Sequence, residues 1–152
     1  MDQNTPAPSL GPKSSIYTSY ELLHHLSMMF GGLVFYTQSY EEYLSFLTEV
    51  LELEVDEISD SQMRLALAGQ FLEIRKEHQA LNQQGTVLVF NLSEDKFFDL
   101  AARLSFFYYR HDSSRFLLSE KSAHYLEIKD PEGRIWRFEK VISLARGLSS
   151  QL

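Results

Sequence analysis

Two stretches of the chain alternate apolar and charged residues in the same rhythm. Gly69 to Lys76 reads GQFLEIRK and Gly133 to Lys140 reads GRIWRFEK. A period of two is the pattern of a half-buried strand. Laid over each other from the glycine, Glu73 falls on Arg137 and Arg75 on Glu139, so the strand is repeated with its charges exchanged.

The segments before these two strands also correspond. LVFYT, from Leu33, is rich in β-branched and aromatic residues and predicts a short strand. Ser39-Tyr40-Glu41-Glu42 has the form of a capping box and opens a helix through about Leu51, with Tyr43, Leu44, Leu47 and Leu51 inward. LEVDEIS, SQMRLALA and QFLEIRKE then predict three strands, the last two joined at Ala68-Gly69, and the polar loop HQALNQQG follows. In the second half TVLVFNL predicts a strand, and Ser93 caps a helix from Glu94 to about Ser105 with Phe97, Leu100, Ala101 and Leu104 inward. FFYYRH, a segment around Ser122 to Lys129, and RIWRFEKV supply three more strands. For FFYYRH the alternative is a helix that runs on into it. Asp130-Pro131-Glu132-Gly133 predicts a tight turn: Pro presets φ, Asp bonds its own backbone, and Gly permits positive φ.

Both halves therefore read β-α-β-β-β, over residues 32–78 and 86–141. Residues 1–17, rich in Pro, Ser and Gly, are expected to form a flexible tail. Residues 18–31 are expected to form a short amphipathic helix carrying Leu22, Leu23, Leu26, Met29 and Phe30, and residues 142–152 a C-terminal tail.

Composition narrows the chemistry. Of 152 residues 44% are hydrophobic, enough for a real core. No cysteine is present, which removes disulfides, thiolate metal sites and a cysteine nucleophile and fits a cytoplasmic protein. The start of the chain lacks the apolar region of a secretory signal, and no apolar run has membrane-spanning length. A net charge of −7 argues against a nucleic-acid partner. No G-x-S-x-G elbow or glycine-rich phosphate loop occurs, so no catalytic residue is assigned. His24 and His25 are adjacent on a helix and splay too far apart to share an ion. His78 and His111 are expected at strand ends in solvent, and His124 in a structural role.

The paired β-α-β-β-β units, the segment SFLTEVLELEV after the first strand, and the DPEG turn before the last strand resemble the vicinal oxygen chelate superfamily. This group contains glyoxalase I, bleomycin- and fosfomycin-resistance proteins and extradiol dioxygenases. FLTEVLELEV is similar to the usual F-Y-x-x-V-L-G-L-x-V, with Leu47 in place of Tyr and Glu52 in place of Gly. The resemblance implies an α+β fold of two βαβββ modules, curled mixed sheets around a cleft, with the 18–31 helix as an extra element. It also implies a homodimer.

In metal-dependent relatives the ligands come from the first and last strand of each module. Those positions fall here on Gly32, Glu73, Val87 and Arg137, of which only Glu73 is a ligand. An arginine stays protonated and repels a divalent cation. The expectation is a protein without metal or cofactor, more a binding protein than an enzyme. A metal-dependent lyase or dioxygenase with displaced ligands, and an interaction scaffold with a closed pocket, are the alternatives. The candidate ligand residues on the inward faces are Tyr36, Phe71, Glu73, Arg75, Asn91, Arg137 and Glu139, around a small organic molecule. Glu73 is expected to pair with Arg137 where relatives hold the metal. In the functional alternative, Arg137 or Arg75 holds an anion while Tyr36 and Phe71 contact its apolar body.

Overall fold

The computed structural model describes residues 28–142. The chain divides into units Met1–Phe30 and Gly31–Leu152. Of the first unit Met28–Phe30 are described, and they carry no helix. The rest of the expected N-terminal helix, the tail before it and residues 143–152 lie outside the described residues.

The second unit holds all the regular elements. Its first half runs β1 (Gly32–Thr37), α1 (Tyr40–Ser45), a π-helical turn (Phe46–Val50), β2 (Val55–Ile58), β3 (Gln62–Leu67) and β4 (Gln70–Lys76). Its second half runs β5 (Val87–Leu92), α2 (Glu94–Arg110), β6 (Leu117–Lys121), β7 (Tyr125–Lys129) and β8 (Ile135–Lys140). Each half builds a four-stranded mixed sheet, ordered β1-β4-β3-β2 and β5-β8-β7-β6. The registers match: β1 runs parallel to β4 with Gly32 opposite Phe71, and β5 parallel to β8 with Val87 opposite Ile135. The fold is α+β, a pair of βαβββ modules, as the repeat implies.

Local chemistry explains the turns. Ala68 and Gly69, at φ 51° and 77°, make the β3–β4 hairpin turn whose twist suits the flanking strands. Gly133, at φ 91°, closes the turn before β8, where Asp130 Oδ1 accepts from the amides of Glu132 and Arg134. Glu52 also has positive φ, 53°, at the position where the related pattern carries glycine.

Three expectations are corrected. Ser39 does not cap α1 with its side chain; its hydroxyl instead accepts from Arg115 Nη2. The helix after it widens to i→i+5 spacing, which turns Phe46, Leu47 and Val50 together into the core. FFYYRH is helix, not strand: α2 continues to Arg110 because Phe107 extends the buried stripe of Phe97, Leu100 and Leu104. The second strand of this module is instead β6, whose five residues are all exposed.

The core lies between the modules. Phe35, Leu72, Ile74, Met63 and Leu65 from the first sheet join Trp136, Phe138, Leu126 and Ile128 from the second, with Phe46 and Phe107 of the helical segments. Trp136 meets Phe35 and Phe46 edge-on, with ring centroids 6.0 and 5.9 Å away. No described helix is long and apolar enough to cross a membrane.

Candidate functional site

Strand alternation decides what remains outside. Since one face of each sheet enters the shared core, the other faces away from it. On the first sheet this outer face carries Val34, Tyr36, Phe71, Glu73 and Arg75, with Arg64 directly across from Glu73 on β3. On the second it carries Val87, Val89, Asn91, Ile135, Arg137 and Glu139, with Glu127 directly across from Arg137 on β7.

At the centre of the first face is Glu73, its side chain 5% exposed. Arg75 Nη2 lies 2.6 Å from Oε2, with Nε donating to the same oxygen at 2.8 Å, and Arg64 Nη2 donates to Oε1 at 3.2 Å. Burial opposes ionisation of Glu73, but the hydrogen bonds from Arg75 and Arg64 outweigh it and hold the carboxyl below its ordinary pKa. Both guanidiniums also lie against rings, Arg64 4.2 Å from the Phe71 centroid and Arg75 5.8 Å from that of Tyr36. Arg75 Nη1 further donates to the Tyr36 hydroxyl at 3.2 Å.

The second face is the same arrangement with the signs reversed. Arg137 donates from Nε to Glu139 and from Nη1 to Glu127, both at 2.7 Å, and lies 3.9 Å from the Tyr125 centroid. Glu139 first, then Glu127, raises the pKa of Arg137 further. Position for position, Arg64–Glu73–Arg75 answers Glu127–Arg137–Glu139.

The seven predicted ligand residues therefore fall into two groups. Tyr36, Phe71, Glu73 and Arg75 are brought together on one face; Asn91, Arg137 and Glu139 on the other. The expected Glu73–Arg137 ion pair is not formed. Each partner is neutralised in its own sheet, because the faces that carry them point away from the core that joins the modules. Arg64 and Glu127 were missed, although the alternation of QMRLAL and YLEIK already places them on these faces.

The four positions that the resemblance assigns to metal ligands do not fit a divalent ion. A Cβ at Gly32 would stand 2.2 Å from the Phe71 carbonyl oxygen and 2.6 Å from its Cγ, so a ligand side chain there clashes. Val87 has no donor atom, Arg137 is a cation, and both oxygens of Glu73 are engaged by arginine. Among the described residues no three His, Asp or Glu side chains gather where they could hold an ion.

A second polar cluster, missed in the sequence, joins the modules inside the core. Asp130 Oδ2 accepts from the Tyr43 hydroxyl and from Arg134 Nη1 at 2.9 Å. Arg134 Nη2 donates to the Tyr36 carbonyl at 2.9 Å, and Glu132 accepts from Thr37 Oγ1 and from the Gln38 amide at 3.2 Å. Burial raises the pKa of Glu132, only partly offset by the Thr37 hydrogen bond. All of these side chains are inaccessible, which makes the cluster a structural tie.

The cavities open elsewhere. One of about 740 Å³ is lined by Ser93, Glu94, Asp95, His124 and Lys140, and another of about 280 Å³ by Leu53, Leu67, Phe90, Leu92, Lys96 and Leu100 among others. Neither is lined by a predicted ligand residue. His111 ends α2, not a strand, and its Nε2 lies 3.1 Å from Glu49.

The fold has known counterparts. No protein-family model and no curated protein matches the chain. Solved structures do. Fosfomycin resistance protein FosX from Mesorhizobium loti superposes with a TM-score of 0.57 at 10% identity, over 80% of this chain and 98% of that one. Oxidase ChaP-H2 gives 0.58 at 16% identity over 77% and 96%. A glyoxalase-related enzyme from Fulvimarina pelagi gives 0.56 at 14% identity over 75% and 88%. The chain thus has the paired-module fold of the vicinal oxygen chelate superfamily, and at these identities the likeness is one of fold.

Proposed function

We propose that this is a glyoxalase-like protein that binds a small organic ligand without a metal ion or cofactor. The ligand carries an acidic group and an apolar or aromatic body. The observation that carries the reading is that Arg64 and Arg75 both hydrogen-bond the carboxylate of Glu73 while lying against Phe71 and Tyr36. An incoming acid completes the guanidinium hydrogen bonding, and the rings and Val34 take its body. Arg137, already between two carboxylates, is the weaker anion site. The protein works as a cytoplasmic homodimer, because each chain contributes only one wall at each outer face, and nucleic acid is not its partner. No step of chemistry is assigned.

The test is a thermal-shift screen of small aliphatic and aromatic acids against their amides, with metal analysis of chelator-free protein. Stabilisation by acids alone, lost in Arg75→Ala, supports the reading. Stoichiometric metal overturns it in favour of a metal-dependent enzyme, and the absence of any hit in favour of a scaffold.

A further inference from the structure

We infer that the gap between the modules, beyond the end of the π-helical turn, is a second binding site and takes an aliphatic carboxylic acid of medium chain length. The site is separate from the acid-binding face proposed above and does not depend on it.

The gap follows from unequal helices. The first module offers six residues of α1 and five of the π-helical turn, against seventeen of α2. Val50 ends the shorter segment, and its carbonyl accepts from Arg103 Nε at 2.8 Å. Farther along α2, Phe46 meets Phe107 edge-on with centroids 6.0 Å apart, and Glu49 reaches Arg110 and His111. The shorter segment therefore lies along α2 from Arg103 onward and leaves the earlier turns beyond its end. There the chain from Leu51 to Leu53 and the end of β3 at Leu67 form the opposite wall.

Side chains do not close this space. Leu51, Leu53, Leu67, Phe90 and Leu92 pack against the core but stay only partly buried. They border a gap of about 280 Å³, whose floor is the buried pair Leu100 and Phe138. Leu67 stands on the opposite face of β3 from Arg64, and Phe90 on the opposite face of β5 from Asn91. The gap is thus part of neither outer face.

The lining defines the ligand. Its polar side chains are all charged, namely Glu52, Lys96 and Arg103, and the remainder are leucine and phenylalanine. No hydroxyl, amide or imidazole is available to recognise a polar group in the ligand's body, so the body is hydrocarbon. Lys96 has no carboxylate partner among the described residues. Arg103 spends Nε on Val50, and Glu52, 65% exposed, comes only within 3.7 Å of its Nη1. Two cations beside one solvated carboxylate favour an anionic head group. Lys96 also sits in the first turn of α2, the end of a helix that attracts negative charge. The volume equals that of about nine waters in the liquid, room for a chain of about eight carbons.

The chain's single tryptophan reports on the site. Trp136 stacks on Phe90 with ring centroids 5.8 Å apart, and Phe90 lines the gap. Bromine quenches indole fluorescence at short range, so ω-bromooctanoate is expected to quench Trp136 saturably. Octanoate reverses the quenching at a concentration at least about tenfold below that required of octanol, since the charged hydrogen bonds are lost in the alcohol. Lys96 is exposed, and Lys96→Glu puts an acid where a helix start favours one, so the fold is kept. This variant weakens octanoate binding at least about tenfold. Leu53→Phe fills the gap and removes the quenching while the emission spectrum of Trp136 is kept. Absence of quenching, or octanol as effective as octanoate, overturns the inference. Quenching that is lost in Arg75→Ala but kept in Lys96→Glu puts the acid on the outer face, which overturns this inference and leaves the reading above standing. Quenching that is lost in Lys96→Glu and kept in Arg75→Ala supports the site, whatever the acid screen shows for the outer face.

Discussion

Glu73 on β4 and Arg137 on β8 occupy the same position in the two modules with opposite charge, and each is held by two residues of the opposite sign in its own sheet. The two sheets present two closed charge clusters of opposite sign. Glu73 and Glu132 show how differently the protein treats two buried carboxyls. The first is held below the ordinary value of 4.5 by Arg75 and Arg64 despite its burial. The second is raised above 4.5, chiefly by burial.

These shifts act on stability in opposite directions. Glu73, lowered in the folded state, contributes stability that is fully present above 4.5 and lost as pH falls through its lowered value. Glu132, raised in the folded state, contributes stability that is fully present below 4.5 and lost as pH rises through its raised value. In side-chain carboxyl NMR titrations Glu132 is expected to take up its proton at higher pH than Glu73. In pH-dependent melts, Glu73→Gln removes the acid-side loss and Glu132→Gln the loss on the side of rising pH. Reversal of the titration order refutes the assignment.

The Asp130 cluster ties the modules together, so breaking it is expected to be costly. Asp130→Ala leaves the Arg134 guanidinium, 3% exposed, without its nearest carboxylate. A loss of about 3–5 kcal/mol is expected in urea melts. Tyr43→Phe removes one hydroxyl from the same site and costs about 1–3 kcal/mol. Equal effects of the two substitutions would mean that the charge is not what matters.

Much of this fold is readable where short-range patterns act. The alternation of GQFLEIRK and GRIWRFEK, the Ala68-Gly69 turn and the DPEG turn each report a local conformational preference, and each holds. FFYYRH misleads because aromatic residues favour strands while their spacing continues a helical stripe, and burial of Phe107 follows the stripe. β6 gave no amphipathic signal because all of its side chains are exposed. Tyr43, Asp130 and Arg134 converge across 87 to 91 positions, beyond any periodicity. The outer-face residues were identified, but not which side of the core each face would occupy.

The same helix supplies a direct test. Phe107 is 2% exposed and Tyr109 84%. Phe107→Ala is expected to cost about 3–5 kcal/mol, and Tyr109→Ala less than about 0.5 kcal/mol. Phe106, 60% exposed, separates the two patterns: a strand that buries Phe107 turns Phe106 and Tyr108 to its other face. In the helix Tyr108 sits partly buried instead, its hydroxyl pKa pushed up to about 12 by burial. Phenol titration monitored by absorbance is therefore expected to show Tyr108 ionising later than exposed tyrosines.

Glu52 adopts φ 53° with its side chain 65% exposed and only a 3.7 Å contact to Arg103. A non-glycine residue in the left-handed region costs about 1–2 kcal/mol, whereas glycine enters it freely. Glu52→Gly is expected to raise the melting temperature, since the exposed ion pair it removes contributes less than about 1 kcal/mol. Destabilisation would show that the Arg103 contact matters more than the backbone.

Gly32 gives the last and most informative substitution, since it stands where the resemblance assigns a ligand. Gly32 is opposite Phe71, and a Cβ there meets the Phe71 carbonyl oxygen at 2.2 Å, backbone that cannot swing aside. Gly32→Ala therefore separates the paired strands β1 and β4 locally and is expected to cost at least about 1–3 kcal/mol, the scale of an overpacked core. Gly32→His adds a ring to the same clash and lowers stability further. The ligand set also fails for reasons that the glycine does not control: Arg137 remains a cation, and Glu73 remains between Arg64 and Arg75. Adding Ni or Mn to the purified histidine variant is thus expected to leave its melting temperature unchanged. A rise in melting temperature on adding metal would instead show that Arg64 and Arg75 do not keep an ion from Glu73.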